Sequence, residues 1–176
     1  NMADTSFYFS PIKDLQDDYE QDQIGGFIQA YHNSFPEIKS GSIAIIYVPE
    51  NRGSNLEEAE ITSSNFRKAL YPLHTGKNWK KDFYDLGDIK PGNELKDTYF
   101  ALSKVASELI KSNILPIIIG GSQDLVMGVY DAYASLEQLV NICSIDYSLD
   151  LGDAEKEVDS QSYLTSLMLK RPCYLF

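Results

Sequence analysis

Residues 115–124 read LPIIIGGSQD, and the class of the fold follows from this stretch. Leu115 to Ile119 is a short apolar run rich in β-branched residues, of strand length and suited to burial on both faces. Gly120 and Gly121 break it, and Ser122 stands where a helix reaching to about Leu136 would take its cap. Strand, tight turn and helix in succession form the repeating unit of an α/β protein.

The same alternation extends outward from this point. Upstream, residues 93–112 carry Tyr99, Leu102, Ala106, Leu109 and Ile110 on one helical stripe. Before that helix lies FYDLGDI, Phe83 to Ile89, a strand ended by Pro91 and Gly92. SIAIIYV, Ser42 to Val48, reads as the first central strand. It is followed by the polar loop PENRGSN and a helix over 57–71 with Ile61, Phe66 and Leu70 as its apolar positions, closed by Pro72. Residues 1–40 form a lead-in containing one short candidate helix, 22–32, where Ile24, Phe27, Ile28 and Tyr31 recur at helical spacing. Downstream, LVNICSID, Leu139 to Asp146, predicts a fourth strand. An acidic loop over 150–159 and a helix over 161–169 come next. The expectation is an α/β fold with a mostly parallel sheet and right-handed crossovers, in one domain over 41–176.

Composition narrows the function. Twenty-six acidic against fifteen basic residues leave a net charge of −11, which repels nucleic acid and anionic membrane surfaces. The longest apolar runs are far too short to cross a bilayer, and the N-terminus lacks the basic-then-apolar order of a signal peptide. The expected location is the cytoplasm and the expected partner a small-molecule substrate or ligand. Cys143 and Cys173, the only cysteines, read as reduced, partly buried thiols.

In parallel sheets the ligand lies beyond the carboxyl ends of the strands. Two such ends carry polar side chains: Gly121, Gln123 and Asp124 after one strand, and Asp146, Ser148 and Asp150 after another. Asp146 and Asp150 would point the same way on an extended backbone and could hold a hard cation. The plainer reading of this unspecific spacing, a turn-capping Asp146 and a solvated Asp150, carries more weight. The glycine pair and the following helix start read as ordinary strand-to-helix turn chemistry or as a site where an anion meets free N–H groups. His32 and His74 are the only histidines. Neither has a carboxylate or cysteine at ligand spacing, and both read as structural or exposed.

Taken together, these segments resemble the ureohydrolase family of arginases, agmatinases and formimidoylglutamases. Asn65 to Tyr71 is similar to that family's helix ending I-R-x-x-L-Y. Asp85-Leu86-Gly87-Asp88 matches its D-L-G-D element, Pro116 to Gly121 its approach to G-G-D-H-S, and Ile145-Asp146 the start of D-A-H-x-D. The resemblance implies a three-layer αβα fold and hydrolysis of an amidine or guanidino carbon–nitrogen bond by hydroxide bridging two manganese ions. Formimidoylglutamase is the nearest type.

This chain departs from the family at the ligands. Gln123 stands where G-G-D-H-S has its histidine, Ser148 replaces the histidine of D-A-H-x-D, and Ser160-Gln161-Ser162 lacks the histidine that some relatives carry there. Amide and hydroxyl oxygens are poorer ligands for manganese than imidazole or carboxylate. The expectation is therefore a vestigial metal site of Asp146 and Asp150 beside a pocket of Gly121, Gln123, Asp124 and Ser148, in effect a pseudoenzyme. Two alternatives stand beside it. One is an all-oxygen metal site using Asp124, Asp146, Asp150 and carboxylates beyond Phe176. The other is a non-catalytic ligand-binding or assembly module. Tyr174 to Phe176 reads as an incoming strand, from which either a longer polypeptide or burial of the open edge in a homo-oligomer is expected.

Overall fold

The computed structural model describes residues 2–13, 18–54, 62–76, 78–153, 155–170 and 173–175. The helices are α1 (Met2–Thr5), α2 (Ile24–Phe27), α3 (Ser63–Leu70), α4 (Leu95–Lys111), α5 (Val126–Ser135) and α6 (Tyr163–Lys170). The strands are β1 (Phe9–Ser10), β2 (Gln29–Ala30), β3 (Ile43–Tyr47), β4 (Phe83–Ile89), β5 (Leu115–Ile119), β6 (Val140–Ile142) and β7 (Cys173–Leu175). They fall into two compact units: Asn1–Pro49 with Ala59–Lys90 and Glu108–Gly120, and Glu50–Glu58 with Pro91–Ser107 and Gly121–Phe176.

The first unit holds a five-stranded sheet in the order β1-β4-β3-β5, with β2 also paired to β4. β2, β3, β4 and β5 run parallel and only β1 is antiparallel. The expected α/β class with a mostly parallel sheet is therefore present. β3 and β4 are almost wholly buried, which is why their sequences read as continuous apolar runs rather than as alternation.

The D-L-G-D element lies within β4 and owes its form to a bulge. Ile45 pairs with Asp85 but Tyr47 pairs with Asp88, so three steps on β4 match two on β3. In a regular strand residues three apart face opposite sides, and the extra residue brings Asp85 and Asp88 to the same side. Gly87 has φ +85°, a left-handed conformation that glycine adopts without cost. A Cβ there would sit 2.3 Å from the Ser10 carbonyl oxygen.

Both aspartates meet Arg67 of α3. Its Nε and Nη2 donate to Asp85 at 2.8 and 2.9 Å, and Nη1 donates to Asp88 at 2.7 Å. Tyr71, one helical turn on, donates its hydroxyl to Asp85 at 2.9 Å, and Ser63 donates to the second oxygen of Asp88 at 2.6 Å. The Gly87 N–H also donates to Asp85, at 3.0 Å. Arg67 is 2 % and Asp85 0 % exposed. Burial alone would lower the Arg67 pKa, but the hydrogen bonds and charge of Asp85, then of Asp88, outweigh it and raise the net value. Burial, then the charge of Asp85, holds the Tyr71 phenol well above its usual range.

In the second unit Tyr130, Tyr163, Leu164 and Leu167 form an apolar cluster, with Val126, Met127, Val140 and Ile142 packed against it. Here β6 and β7 pair in parallel as a separate two-stranded sheet. Residues 139–146 were expected to form a full central strand, but only Val140–Ile142 is extended in a ladder. Cys143 to Asp146 lies outside any strand, and Ile145 is 98 % exposed.

Most of the remaining boundaries agree with expectation. α4 ends in a Schellman turn, with Asn113 at φ 58° and the Ile114 N–H donating to the Leu109 carbonyl at 2.9 Å. Its fully buried stripe is Thr98, Leu102, Val105, Ala106 and Leu109, with Tyr99 and Ile110 half-buried at its margin. α3 starts at Ser63, capped by the Thr62 hydroxyl; the earlier part of the expected helix falls largely on residues 55–61, outside the described residues. The candidate helix over 22–32 shrinks to the single turn α2, and the chain is extended again by Ile28. Gly25 and Gly26 sit in that turn and weaken helix propagation, while Gln29–Ala30 gains a ladder against β4. β1 and β2 thus bring residues before Gly41 into the sheet of the first unit. Cys143 is exposed rather than partly buried.

Removing one partner of a buried, hydrogen-bonded ion pair leaves the other charge stranded. Asp85→Asn should cost about 3–5 kcal/mol in urea unfolding followed by Trp79 fluorescence. Lys39→Ala, which breaks the exposed Lys39–Asp82 pair, should change stability by less than about 1 kcal/mol. Equal losses would refute the special standing of the buried network.

Candidate functional site

All six residues expected at the crevice lie in the second unit, on the turn after β5 and the segment after β6. Gly120 and Gly121 both take positive φ, 82° and 75°, so the chain turns sharply at the end of β5. The Ser122 N–H donates to the Glu50 carbonyl at 2.9 Å. The Ser122 side chain does not cap the helix as expected. Its hydroxyl points to that same carbonyl, 3.4 Å away, and a 3-10 turn over Gln123–Leu125 leads into α5.

Glu50 anchors this turn. Its carboxylate, 2 % exposed, accepts from the Arg52 backbone N–H at 3.1 Å, from Arg52 Nε at 2.9 Å and from the Thr98 hydroxyl at 2.9 Å. Arg52 also donates to the carbonyls of Asn93 and Gly92, at 2.7 and 2.8 Å. Burial alone would push the Glu50 carboxyl up, but the hydrogen bonds from Arg52, with that from Thr98, outweigh it and hold the carboxyl below its ordinary value.

Asp124 is fully buried. Its Oδ2 accepts from the Tyr99 hydroxyl, and a Cβ on Gly53 would lie 2.2 Å from its carboxylate, so the backbone at Gly53 closes over it. Burial first, then Asp124, keeps the Tyr99 phenol protonated. Asp124 is thus a buried structural carboxylate here. Its Oδ1 finds no hydrogen-bond partner among the described residues.

The two substituted positions each pair with a surviving aspartate. Gln123 Nε2 donates to Asp146 Oδ2 at 2.6 Å, and the Tyr147 backbone N–H donates to Asp146 Oδ1 at 2.6 Å. The Ser148 hydroxyl donates to Asp150 Oδ1 at 3.3 Å, while Asp150 Oδ2 is buried and unpartnered among the described residues. Gln123 and Asp146 border a groove of about 250 Å³ that is also lined by Cys143, Ser144 and Tyr163. Burial, with the carboxylates of Asp150 and Asp146, raises the Tyr163 phenol against a hydrogen bond with Ser144 that lowers it. The groove therefore offers one lining carboxylate, Asp146, beside neutral groups, with Asp150 outside the lining but acting on Tyr163 through its charge.

Sequence reading missed Tyr163 and Ser144, since an apolar-looking helix start and a serine inside a strand-like run carry no signal of a groove. Among the described residues, Asp124, Asp146 and Asp150 do not make up a group whose ligand atoms all lie within 4.8 Å of one another. Among the described residues the one group of three carboxylate, imidazole or thiol ligands within 4.8 Å of one another is Glu20, Asp22 and His74. That group belongs to the first unit. The donors around Asp146 and Asp150 do not fit a manganese pair, since an amide nitrogen and a hydroxyl hold the positions at which imidazoles would serve.

Comparison with known proteins agrees with the α/β fold. A sequence model of the arginase family matches residues 41–173. The formimidoylglutamase of Streptococcus gordonii is 22 % identical over 160 residues, covering 85 % of this chain and 48 % of that protein. An uncharacterized 32.2 kDa protein of Methanothermus fervidus is 26 % identical over 102 residues, covering 57 % and 35 %. Among solved structures, formimidoylglutamase from Bacillus subtilis superposes with a TM-score of 0.68 at 18 % identity, covering 98 % of this chain and 56 % of that one. Trypanosoma cruzi formiminoglutamase, solved with Mn²⁺, gives 0.65 at 18 % identity, covering 88 % and 56 %. The chain spans between about a third and a half of the curated relatives it matches. Among the described residues no helix is long and apolar enough to cross a membrane.

The depressed Glu50 carboxyl sets a pH dependence. Its stabilisation is complete above the ordinary value of 4.5 and is lost as pH falls through the lower folded value. Glu50→Gln should cost about 2 kcal/mol at pH 7 by urea unfolding, and the difference from the parent chain should shrink below about pH 4. A difference constant across that range would refute the assignment.

Proposed function

Since the chain belongs to the arginase family, we propose that it is a formimidoylglutamase-like member whose crevice has exchanged the manganese pair for a metal-free hydrogen-bonded groove. The observation that carries this reading is the 2.6 Å bond from Gln123 to Asp146. By family resemblance an imidazole would stand at Gln123 and share a metal with that aspartate. An amide that donates to the carboxylate instead occupies part of its acceptor capacity and, unlike imidazole, brings no metal ligand of its own. Ser148 does the same at one oxygen of Asp150, while the other oxygen has no partner among the described residues. When bound, a manganese pair would supply the hydroxide nucleophile; without it, water keeps its ordinary acidity and no such nucleophile forms at neutral pH.

What remains suits recognition rather than turnover. Asp146 supplies negative charge and a hydrogen-bond acceptor at the groove, the charge of Asp150 reaches Tyr163, and Tyr163 and Ser144 supply neutral groups. A small cation with several N–H donors, such as an amidinium or guanidinium compound, has the complementary chemistry. This keeps the ligand class implied by the family while abandoning its hydrolysis.

The test is the manganese content, by elemental mass spectrometry, of the native-length polypeptide made in manganese-supplemented medium, beside its Asp146→Ala variant. Far less than one ion per chain, unchanged by the substitution, is the expected result. Stoichiometric manganese that disappears with Asp146→Ala would restore a hydrolytic metal site and overturn the proposal.

A further inference from the structure

Glu20 and Asp22 are two positions apart and His74 lies far along the sequence from both, yet a pair of chain segments in the first unit brings the three together. One ligand atom from each lies within 4.8 Å of the others, and His74 Nδ1 is 3.1 Å from Asp22 Oδ2. As a bare surface ion pair, His74 and Asp22 would contribute little. The arrangement around them is more specific than that.

The two segments are locked in register by main-chain bonds. The Thr75 N–H donates to the Asp22 carbonyl, Ile24 to Leu73 and Gly25 to Tyr71, each at 2.9 Å, and Gln23 pairs with His74 as an isolated antiparallel bridge. Gln23 reinforces both sides. Its Nε2 donates to the Pro72 carbonyl at 3.1 Å, and its Oε1 accepts from the Glu20 N–H at 2.8 Å. The Gln23 N–H in turn donates to the Glu20 carbonyl at 3.0 Å. The backbone of all three ligand residues is therefore set before any ligand arrives, which removes much of the ordering cost of binding.

The donor set, one imidazole and two carboxylates, is a combination that zinc and neighbouring first-row ions accept, with water completing the shell. Ligand atoms around tetrahedral zinc stand roughly 3.3 Å apart, from bonds of about 2.0 Å. Closing from the present span needs shifts of about an ångström by exposed side chains. A cation would also relieve the repulsion between two carboxylates held close together.

We propose that Glu20, Asp22 and His74 form a surface site for one divalent first-row transition cation, distinct in residues and unit from the groove of Gln123 and Asp146. Two measurements test it on the full chain. Calorimetric titration with Zn²⁺, in a Cys143→Ser background that removes the exposed thiol, should show one equivalent bound. Affinity should fall at least about tenfold in His74→Ala and in Asp22→Asn and be unchanged in Asp146→Ala. Asp22→Asn keeps the side-chain shape and leaves the main-chain ladder in place, so its loss reports ligation rather than unfolding. In proton spectra the chain has only His32 and His74 to follow, and Co²⁺ should displace or broaden the His74 ring signals well before those of His32. Absence of stoichiometric binding, survival of binding in His74→Ala, its loss in Asp146→Ala, or equal effects of Co²⁺ on both histidines would overturn the proposal. Metal that follows His74 leaves the metal-free reading of the groove intact, whereas metal that follows Asp146 defeats that reading.

Discussion

The guanidinium of Arg67, sunk beneath the surface and shared between Asp85 and Asp88, is the constraint on which the first unit depends. An isolated charge at that depth would cost many kcal/mol, and two carboxylates with well-aligned hydrogen bonds offset the cost. Meeting that requirement dictates the local structure around it. β4 must bulge so that residues three apart face the same way, Gly87 must take the left-handed conformation, and α3 must present Arg67 and Tyr71 one turn apart. Much of what looks like a motif in D-L-G-D is the geometry needed to bury one cation.

The second unit is organised by a different economy of polar groups. Glu50 ties the loop after β3 to the turn at Ser122 and to Thr98 on α4. Asp124 is walled in by Tyr99 and Gly53. Glu50 is held by Arg52 and Thr98, and Asp124 is buried with the Tyr99 hydroxyl on one oxygen. Asp146 at the groove and Asp150 near it are partnered by Gln123 and Ser148. Neutral donors thus stand at Gln123 and Ser148, where the family resemblance would place histidines, and each gives an aspartate a hydrogen-bond partner.

This substitution also alters what the groove can recognise. A bound cation pair would reverse the local sign of the electrostatics, whereas hydrogen-bonded aspartates leave it negative. Tyr163 stays protonated under that field and under its own burial. On the proposed reading the groove favours a cationic partner with N–H donors over an anionic one, in keeping with the net charge of −11.

Local pattern was enough to read the class of fold. The apolar runs that became β3 and β4 and the stripe of α4 announce themselves because burial on both faces of a parallel sheet, or on one face of a helix, leaves its record in the sequence. β5, at the end of the strand order, is only partly buried despite its apolar run. The departure from the family pattern at Gln123 and Ser148 was also legible, since each is a change of chemical type at a fixed place in a recognisable segment. Other features depend on contacts that sequence spacing does not encode. The bulge that aligns Asp85 with Asp88, the burial of Asp124, and the pairing of Gln123 with Asp146 all arise from distant residues meeting. So does the shortening of residues 139–146 to a three-residue strand, because a strand persists only where a neighbour accepts its hydrogen bonds. His74 is the clearest instance: its neighbours in sequence offer no ligand, and only the ladder between two remote segments places Asp22 and Glu20 beside it. The sequence by itself determined the central strands, the stripe of α4 and which residue types stand at the motif positions, because these are local matters of periodicity and chemical type. Tertiary structure alone decided which polar groups share a site, because that depends on how the chain returns on itself.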